Sequence, residues 1–363
     1  MTLTATPPVA PAPATPMRIT NGHLPAWSPW AILGLALVVS GAVFGVVAVS
    51  GGGFNFAGWL IVAALLYILL IAVISTVVEG RRKATDRVVT GLVSGAFLLA
   101  MVPLVSVAIT VIENGVKGLS AEFFSSSMRN VVGEGGGALH AIMGTVEITL
   151  TAAVISIPIG LLTAIYLVEY GRGRLARGIT FLVDVMTGIP SIVAGLFIYA
   201  LFALIMGPGI RLGIMGALSL AVLMIPVVVR SSEEMLRLVP NELREASYAL
   251  GVPKWLTILK VVLPTSIAGI VTGVMLAIAR VIGETAPLLI TAGFTASMNY
   301  NLFDGRMMTL PVFVYTQYMN QGIPPEAYVN RAWAAALVLI LIVMALNLIA
   351  RLIAKFFAPA KGR

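Results

Sequence analysis

The sequence predicts an all-α polytopic membrane protein, and three observations predict it. Hydrophobic residues make up 59% of the 363 positions and charged residues only 10%, against about 25% charged in soluble domains. The mean hydropathy is +1.01. Apolar runs of about 20 residues, long enough to cross a bilayer, recur along most of the chain. With no cysteine, a disulfide framework, a thiolate metal site and a cysteine nucleophile are all excluded.

Taken in order, residues 1–29 open with MTLTATPPVAPAPATP. This stretch of Pro, Ala and Thr has no apolar period, which predicts a disordered cytoplasmic tail. The basic n-region and the cleavage site of a signal peptide are both missing. Eight apolar runs follow, near 30–50, 57–78, 88–112, 140–169, 181–206, 213–229, 264–292 and 332–354.

The Lys and Arg residues orient them. With the N-terminus cytoplasmic, the inner segments hold seventeen of these residues and the outer segments five: Lys117, Arg129, Arg211, Arg306 and Arg331. Only Arg280 falls inside a span. The positive-inside rule therefore places both termini in the cytoplasm. The net charge of +8 reads as a topology signal, and nucleic acid is not an expected partner. Two outer loops are long. Residues 113–139 contain GEGGG at 133–137, and residues 291–331 carry Tyr300, Phe303, Tyr315 and Tyr318. Each is either a connector or a landing surface for an external partner, where aromatic residues are enriched.

The most informative inner segment is 241–264, NELREASYALGVPKWLTILKVVLP. Its charges forbid a position in hydrocarbon. Asn241 is expected to cap a helix whose first turn carries Glu242 and Glu245, and Gly251 to close it in the left-handed conformation. Leu243, Ala246 and Leu250, with small Ala249 beside them, form an apolar stripe too narrow for a core of its own. Such a stripe asks for a partner's groove.

In the following span, Ala279 to Leu289 read ARVIGETAPLL. Arg280 and Glu284 are four residues apart, so on a continuous helix they share a face and pair, which lowers the cost of holding either in a membrane. A guanidinium also forms paired hydrogen bonds to a phosphate-like oxyanion. The alternative is a pair that only fixes helix packing. A helix from Pro264 to Arg280 would carry the connection about 24 Å from the wet segment.

Other polar residues in or near spans are Glu147 and Asp184, which either line a path, pair with basic groups of a neighbouring subunit, or sit near an interface. Thr187 and Ser191 flank Pro190, where an interrupted helix would offer backbone donors to an anion. His140 is expected at the membrane boundary. No His or carboxylate cluster has metal spacing, and no Ser, His and Asp set suggests a hydrolase.

The pattern Glu245, Ala246, Gly251, Val261, Leu263 and Pro264 resembles the EAA loop of ABC importer permeases. Ser247 stands in place of the second Ala and Val261 in place of Ile. The resemblance implies that Leu243, Glu245, Ala246, Ser247, Leu250, Gly251 and Pro264 serve coupling to an ATPase subunit. That partner would bind ATP and Mg, and this chain would need no cofactor and would not itself be an enzyme. The sequence agrees in containing no G-x-x-x-x-G-K-[ST] phosphate loop.

The motifs YLVEYG at 166–171, GIPSIVAG at 188–195, VVVRSSEEMLRLVP at 227–240 and GETAPLL at 283–289 sharpen the resemblance. They are similar to the PstA-type permeases of phosphate-uptake ABC transporters. The implied architecture is a six-helix permease domain at 88–357, with a cytoplasmic coupling loop at 231–263 and a short tail at 358–363. Residues 30–78 are then a two-helix extension.

The implied partners are a sister permease of the PstC type, two ATPase subunits of the PstB type, an external phosphate-binding protein of the PstS type and membrane lipid. The implied substrate path draws on Arg280, Glu284, Thr285, Glu147, Thr187 and Ser191. Permeases for molybdate or sulfate are the near alternatives. An ion-coupled carrier would also use an intramembrane Arg and Glu, but it gives the docking helix no role.

Overall fold

The structure is a computed structural model that describes residues 22–357. The expected tails at 1–21 and 358–363 lie outside the described residues. Every regular element among the described residues is helical, and the chain divides into two compact units, Met1–Val107 and Ala108–Arg363.

In the first unit, α1 (Ser28–Val47) packs beside α2 (Phe56–Val78). Their contact uses small residues, as membrane helices do when hydrophobicity alone cannot drive association. Ala36 and Ser40 are buried there, and the Trp59 indole donates to the Leu37 carbonyl at 3.1 Å. Gly80, at φ +89°, turns the chain from α2 into α3 (Arg81–Gly115), which carries it into the second unit. The turn is fastened by Glu79, whose side chain is 1% exposed and accepts from Arg87 at 2.6 and 2.9 Å. Leu24 N–H and the Ser75 hydroxyl add bonds at 3.0 and 2.8 Å. The Arg87 bonds are the largest cause of a Glu79 pKa lowered to about 2, partly opposed by burial.

The second unit contains α4 (Ala121–Ser125), α5 (Leu139–Ile165), α6 (Gly173–Thr187), α7 (Ser191–Met206) and α8 (Gly213–Arg237). They are followed by α9 (Asn241–Ala249), α10 (Lys254–Thr257), α11 (Leu263–Val281), α12 (Ala286–Thr291), α13 (Leu310–Met319) and α14 (Pro325–Phe357). The central helix is α8, which packs along both α5 and α11. It does so because glycines let the backbones close. A Cβ on Gly160 would stand 2.7 Å from Val228, and one on Gly273 would stand 2.5 Å from Ser231.

Among the described residues seven helices are long and apolar enough to cross a membrane, and the bent pair α6–α7 makes an eighth crossing if counted as one span. The run at 181–206 is therefore not a straight helix: it turns by 109° at its break, where Pro190 supplies no N–H and disfavours helical geometry before it. The run at 264–292 also breaks, at 282–285, and resumes as the six-residue α12.

Conversely, α8 continues past Val229 to Arg237. Three of its four charges are paired, with Glu233 taking Arg230 at 2.8 Å and Arg237 at 2.6 Å, and Asp184 also binding Arg230, while Glu234 is exposed. The segment 291–331 contains a helix of its own, α13, which buries Leu310, Val312 and Phe313 completely.

Candidate functional site

The helix α9 is presented at the C-terminal end of α8. Pro240, not Asn241, occupies the N-cap position. Asn241 is instead the first helical residue, and its Oδ1 accepts from Arg244 at 3.3 Å. Pro240, with φ fixed near helical values, displaced the cap expected from side-chain chemistry. At the other end Gly251 has φ +74°. Gly251 N–H bonds the Tyr248 carbonyl at 2.9 Å and Val252 N–H bonds that of Ser247 at 3.2 Å, the two bonds of a Schellman stop.

The expected stripe stands open. Leu243, Glu245, Ala246 and Leu250 are exposed, Leu250 by 83%. Pro264, at the start of α11, is exposed too. Ser247 differs from the others: it is buried and its hydroxyl lies 2.8 Å from that of Thr257. It fastens α9 to α10 rather than facing outward. A hydroxyl at this position has a partner that a second Ala would lack.

What holds so small a helix in place was missed in the sequence. Arg244 donates from Nε and Nη2 to Glu169 Oε1 at 3.0 and 2.9 Å, and to the carbonyls of Val239 and Leu236 at 2.6 and 3.0 Å. Both side chains are largely buried, 12% and 5% exposed. Lys254 Nζ donates to the Glu169 carbonyl and lies 4.9 Å over the Tyr170 ring. The YLVEYG segment, a π-helical turn at the end of α5, is thus the clamp for the presented helix. Glu169 and Arg244 are 75 residues apart, so no local spacing links them. The only signal was a charge of each sign placed at the end of an apolar run and in a wet loop.

The second constellation lies where α11 and α12 part. Arg280 is exposed at the last turn of α11, and Glu284 lies beyond the helix end, half-buried. No ion pair joins them. The pairing expected from four-residue spacing fails because α11 ends at Val281, before Gly283, so Arg280 and Glu284 do not share a helix. Thr285 is half-buried at the N-cap position of α12 and makes no capping bond.

The bend between α6 and α7 sits beside this break. A Cβ on Gly195 would stand 2.7 Å from Pro287 Cα, which puts the first turn of α7, beginning with half-buried Ser191, against the first turn of α12. Thr187 closes α6 with its hydroxyl donating to the Val183 carbonyl at 2.9 Å.

Glu147 on α5 is at the same level, next to Ile148. Ile148 and Leu288 of α12 both meet Gly216, at 3.4 and 3.1 Å from its Cβ position. The Glu147 Oε2 atom is buried without a hydrogen-bond partner. Asp184 finds its basic partner, Arg230, within this chain. His140 is the second residue of α5. It is 2% exposed, packed edge-on against Phe313 with ring centroids 5.5 Å apart. Among the described residues no group of His, Cys, Asp or Glu has the makings of a metal site.

The fold and this geometry define a multi-span helical membrane protein that presents an anchored helix at one end and sets two interrupted helices side by side within the bundle. Residues 156–363 match the family described as "Binding-protein-dependent transport system inner membrane component". The phosphate transport system permease protein PstA 1 of Mycobacterium tuberculosis is 46% identical over 286 residues, covering 78% of this chain and 91% of that protein. The PstA of Yersinia pestis is 38% identical over 286 residues, covering 77% and 95%. A chain of a bacterial alginate ABC transporter, solved with an alginate-bound periplasmic protein, aligns with a TM-score of 0.52 at 12% identity, covering 75% of this chain and 96% of that one, a likeness of fold. The chain belongs to the inner membrane components of binding-protein-dependent transport systems and, among them, to the PstA permeases.

Proposed function

We propose that this chain is one of two permease subunits of an ATP-driven importer of inorganic phosphate. Separate ATPase subunits bind ATP and Mg, close on α9 and drive alternating access through α10 and α11. An external binding protein delivers the anion to the opposite end of the bundle. Both termini then lie in the cytoplasm, as the distribution of Lys and Arg requires.

The observation that carries this reading is the 46% identity to a phosphate permease over 91% of its length. The exposed stripe on α9 supports the ATPase contact, because a short helix with one open apolar face is suited to a partner's groove. In the membrane-embedded part, Arg280 attracts the anion, while Glu284, Thr285, Ser191, Thr187 and Glu147 shape the path. A guanidinium with no carboxylate partner is free to bond a tetrahedral oxyanion. The path is a transient station, since an anion held too tightly would not leave.

Reconstituted with its partners in proteoliposomes, the assembly is expected to accumulate phosphate only with hydrolysable ATP, and to prefer it over molybdate and sulfate. Uptake driven by a proton gradient without ATP would overturn the reading, and preferential uptake of another oxyanion would replace the substrate.

A further inference from the structure

At the end of α8 away from α9, two arginines are brought together by a glycine. Gly293, at φ +74°, has the Arg211 Cδ 2.9 Å and the Arg306 Cδ 3.4 Å from the place its Cβ would occupy. The two side-chain stems thus pass over one backbone position where any larger residue would collide.

Their backbones are fixed. Leu212 N–H bonds the Thr291 carbonyl at 3.1 Å, and Asn299 Nδ2 bonds the carbonyls of Asp304 and Arg306 at 2.8 and 3.0 Å. The Arg306 guanidinium carbon sits 5.8 Å over the Phe294 ring. Arg211 is half-buried and Arg306 exposed. Among the described residues neither guanidinium has an ion pair or a hydrogen bond, and Asp304, two residues from Arg306, makes no ion pair with either.

The two stems converge on one backbone position, and like charges on converging side chains repel unless something of opposite sign joins them. The fold spends backbone hydrogen bonds and a glycine conformation to hold them there. The short α12, about 9 Å long, runs from Thr285 to this place, so the pair stands one short helix away from Arg280.

We infer that Arg211 and Arg306 form an outer station for the transported oxyanion, which a tetrahedral anion occupies before it reaches Arg280. Two guanidinium forks offer more donors than one and match the oxygens of a tetrahedral anion. The inference rests on the reading of this chain as an anion permease.

It is tested in the assembled wild-type transporter without the external binding protein. Inorganic phosphate, but not chloride at equal ionic strength, should slow modification of Arg211 and Arg306 by an arginine-specific reagent, read by mass spectrometry. In the complete reconstituted system, Arg211→Gln with Arg306→Gln should lower phosphate uptake at subsaturating phosphate by roughly tenfold, the effect of one lost charge-assisted bond. Lys at both positions should restore part of it.

Absence of protection by phosphate overturns the station, as does normal uptake by the double variant. Loss of affinity for the binding protein without any phosphate protection would assign the pair to protein docking and likewise overturn it. The protection measurement needs no variant, so it decides even where Arg211→Gln fails to assemble. A wild-type assembly that takes up no phosphate would instead defeat the functional reading.

Discussion

The two ends of α8 treat arginine differently. At the end near α9, three arginines have carboxylates: Arg230 has Asp184 and Glu233, Arg237 has Glu233, and Arg244 has Glu169, while among the described residues Arg177 beside them bonds only the Gly173 carbonyl. At the other end, and at the break after α11, Arg211, Arg306 and Arg280 have none among the described residues. Paired and buried charge builds a fixed scaffold, because removing either partner strands the other in a poor solvent for charge. Unpaired charge adds little to the fold and is left available to a ligand. On this view the paired end transmits movement from the ATPase subunits, and the unpaired positions meet the anion.

Breaking the comparison at its paired end should have the largest effect on stability. Arg244→Ala leaves Glu169 buried without its counter-charge, at a cost of about 3–5 kcal/mol. A thermal unfolding scan of the assembled transporter should show a lower transition, and phosphate-stimulated ATP hydrolysis should be lost as α9 leaves its place. An unchanged transition together with normal coupling would show that α9 is held by something else. By contrast, Arg280→Ala should change stability by no more than about 0.5 kcal/mol, as for an exposed side chain without partners.

The first unit offers a gentler version of the paired case. Glu79 has a pKa lowered to about 2 from the ordinary 4.5, chiefly through its bonds from Arg87. A depressed carboxyl pKa contributes stability that is fully present above the unfolded value and fades as pH falls toward the folded one. Acidification from pH 5 to pH 2 should therefore loosen the turn between α2 and α3, seen as lower amide protection factors there relative to the intrinsic rate at each pH. Arg87→Ala should remove most of that pH dependence, and an equal response in the variant would assign the acid sensitivity to other groups.

Much of this was legible beforehand, and the exceptions share a physical cause. The long membrane-crossing helices follow from apolar run length, which local sequence records directly, while short α4, α9, α10, α12 and α13 do not. The end of α9 was legible because Gly251 adopts a backbone conformation that glycine favours. The exposed stripe of Leu243, Ala246 and Leu250 followed from helical spacing. What failed were inferences that assumed a continuous helix or ignored a distant partner. Arg280 and Glu284 do not pair, because α11 ends at Val281, just before Gly283. The helix that begins with the run at 213–229 continues to Arg237, past its last apolar residues, because Asp184 and Glu233 pair with Arg230. Ser247 proved to be an inward fastener because Thr257, ten residues on, supplies its bond. Glu169 and Arg244, Gly195 and Pro287, and Arg211 and Arg306 meet only through tertiary packing, which no spacing rule encodes.

The proposal that most needs testing is that the unpaired arginine in the last turn of α11 serves the anion and not the fold. The direct measurement is ATP-dependent phosphate uptake by the reconstituted transporter carrying Arg280→Ala, with its thermal transition and ATPase assembly measured on the same preparation. Uptake should fall roughly 10- to 100-fold, the loss expected from 1.5–3 kcal/mol of charge-assisted hydrogen bonding, while the transition and the assembly remain as in the wild type. Normal uptake, or a loss explained by failed assembly, would contradict the claim and return Arg280 to a packing role.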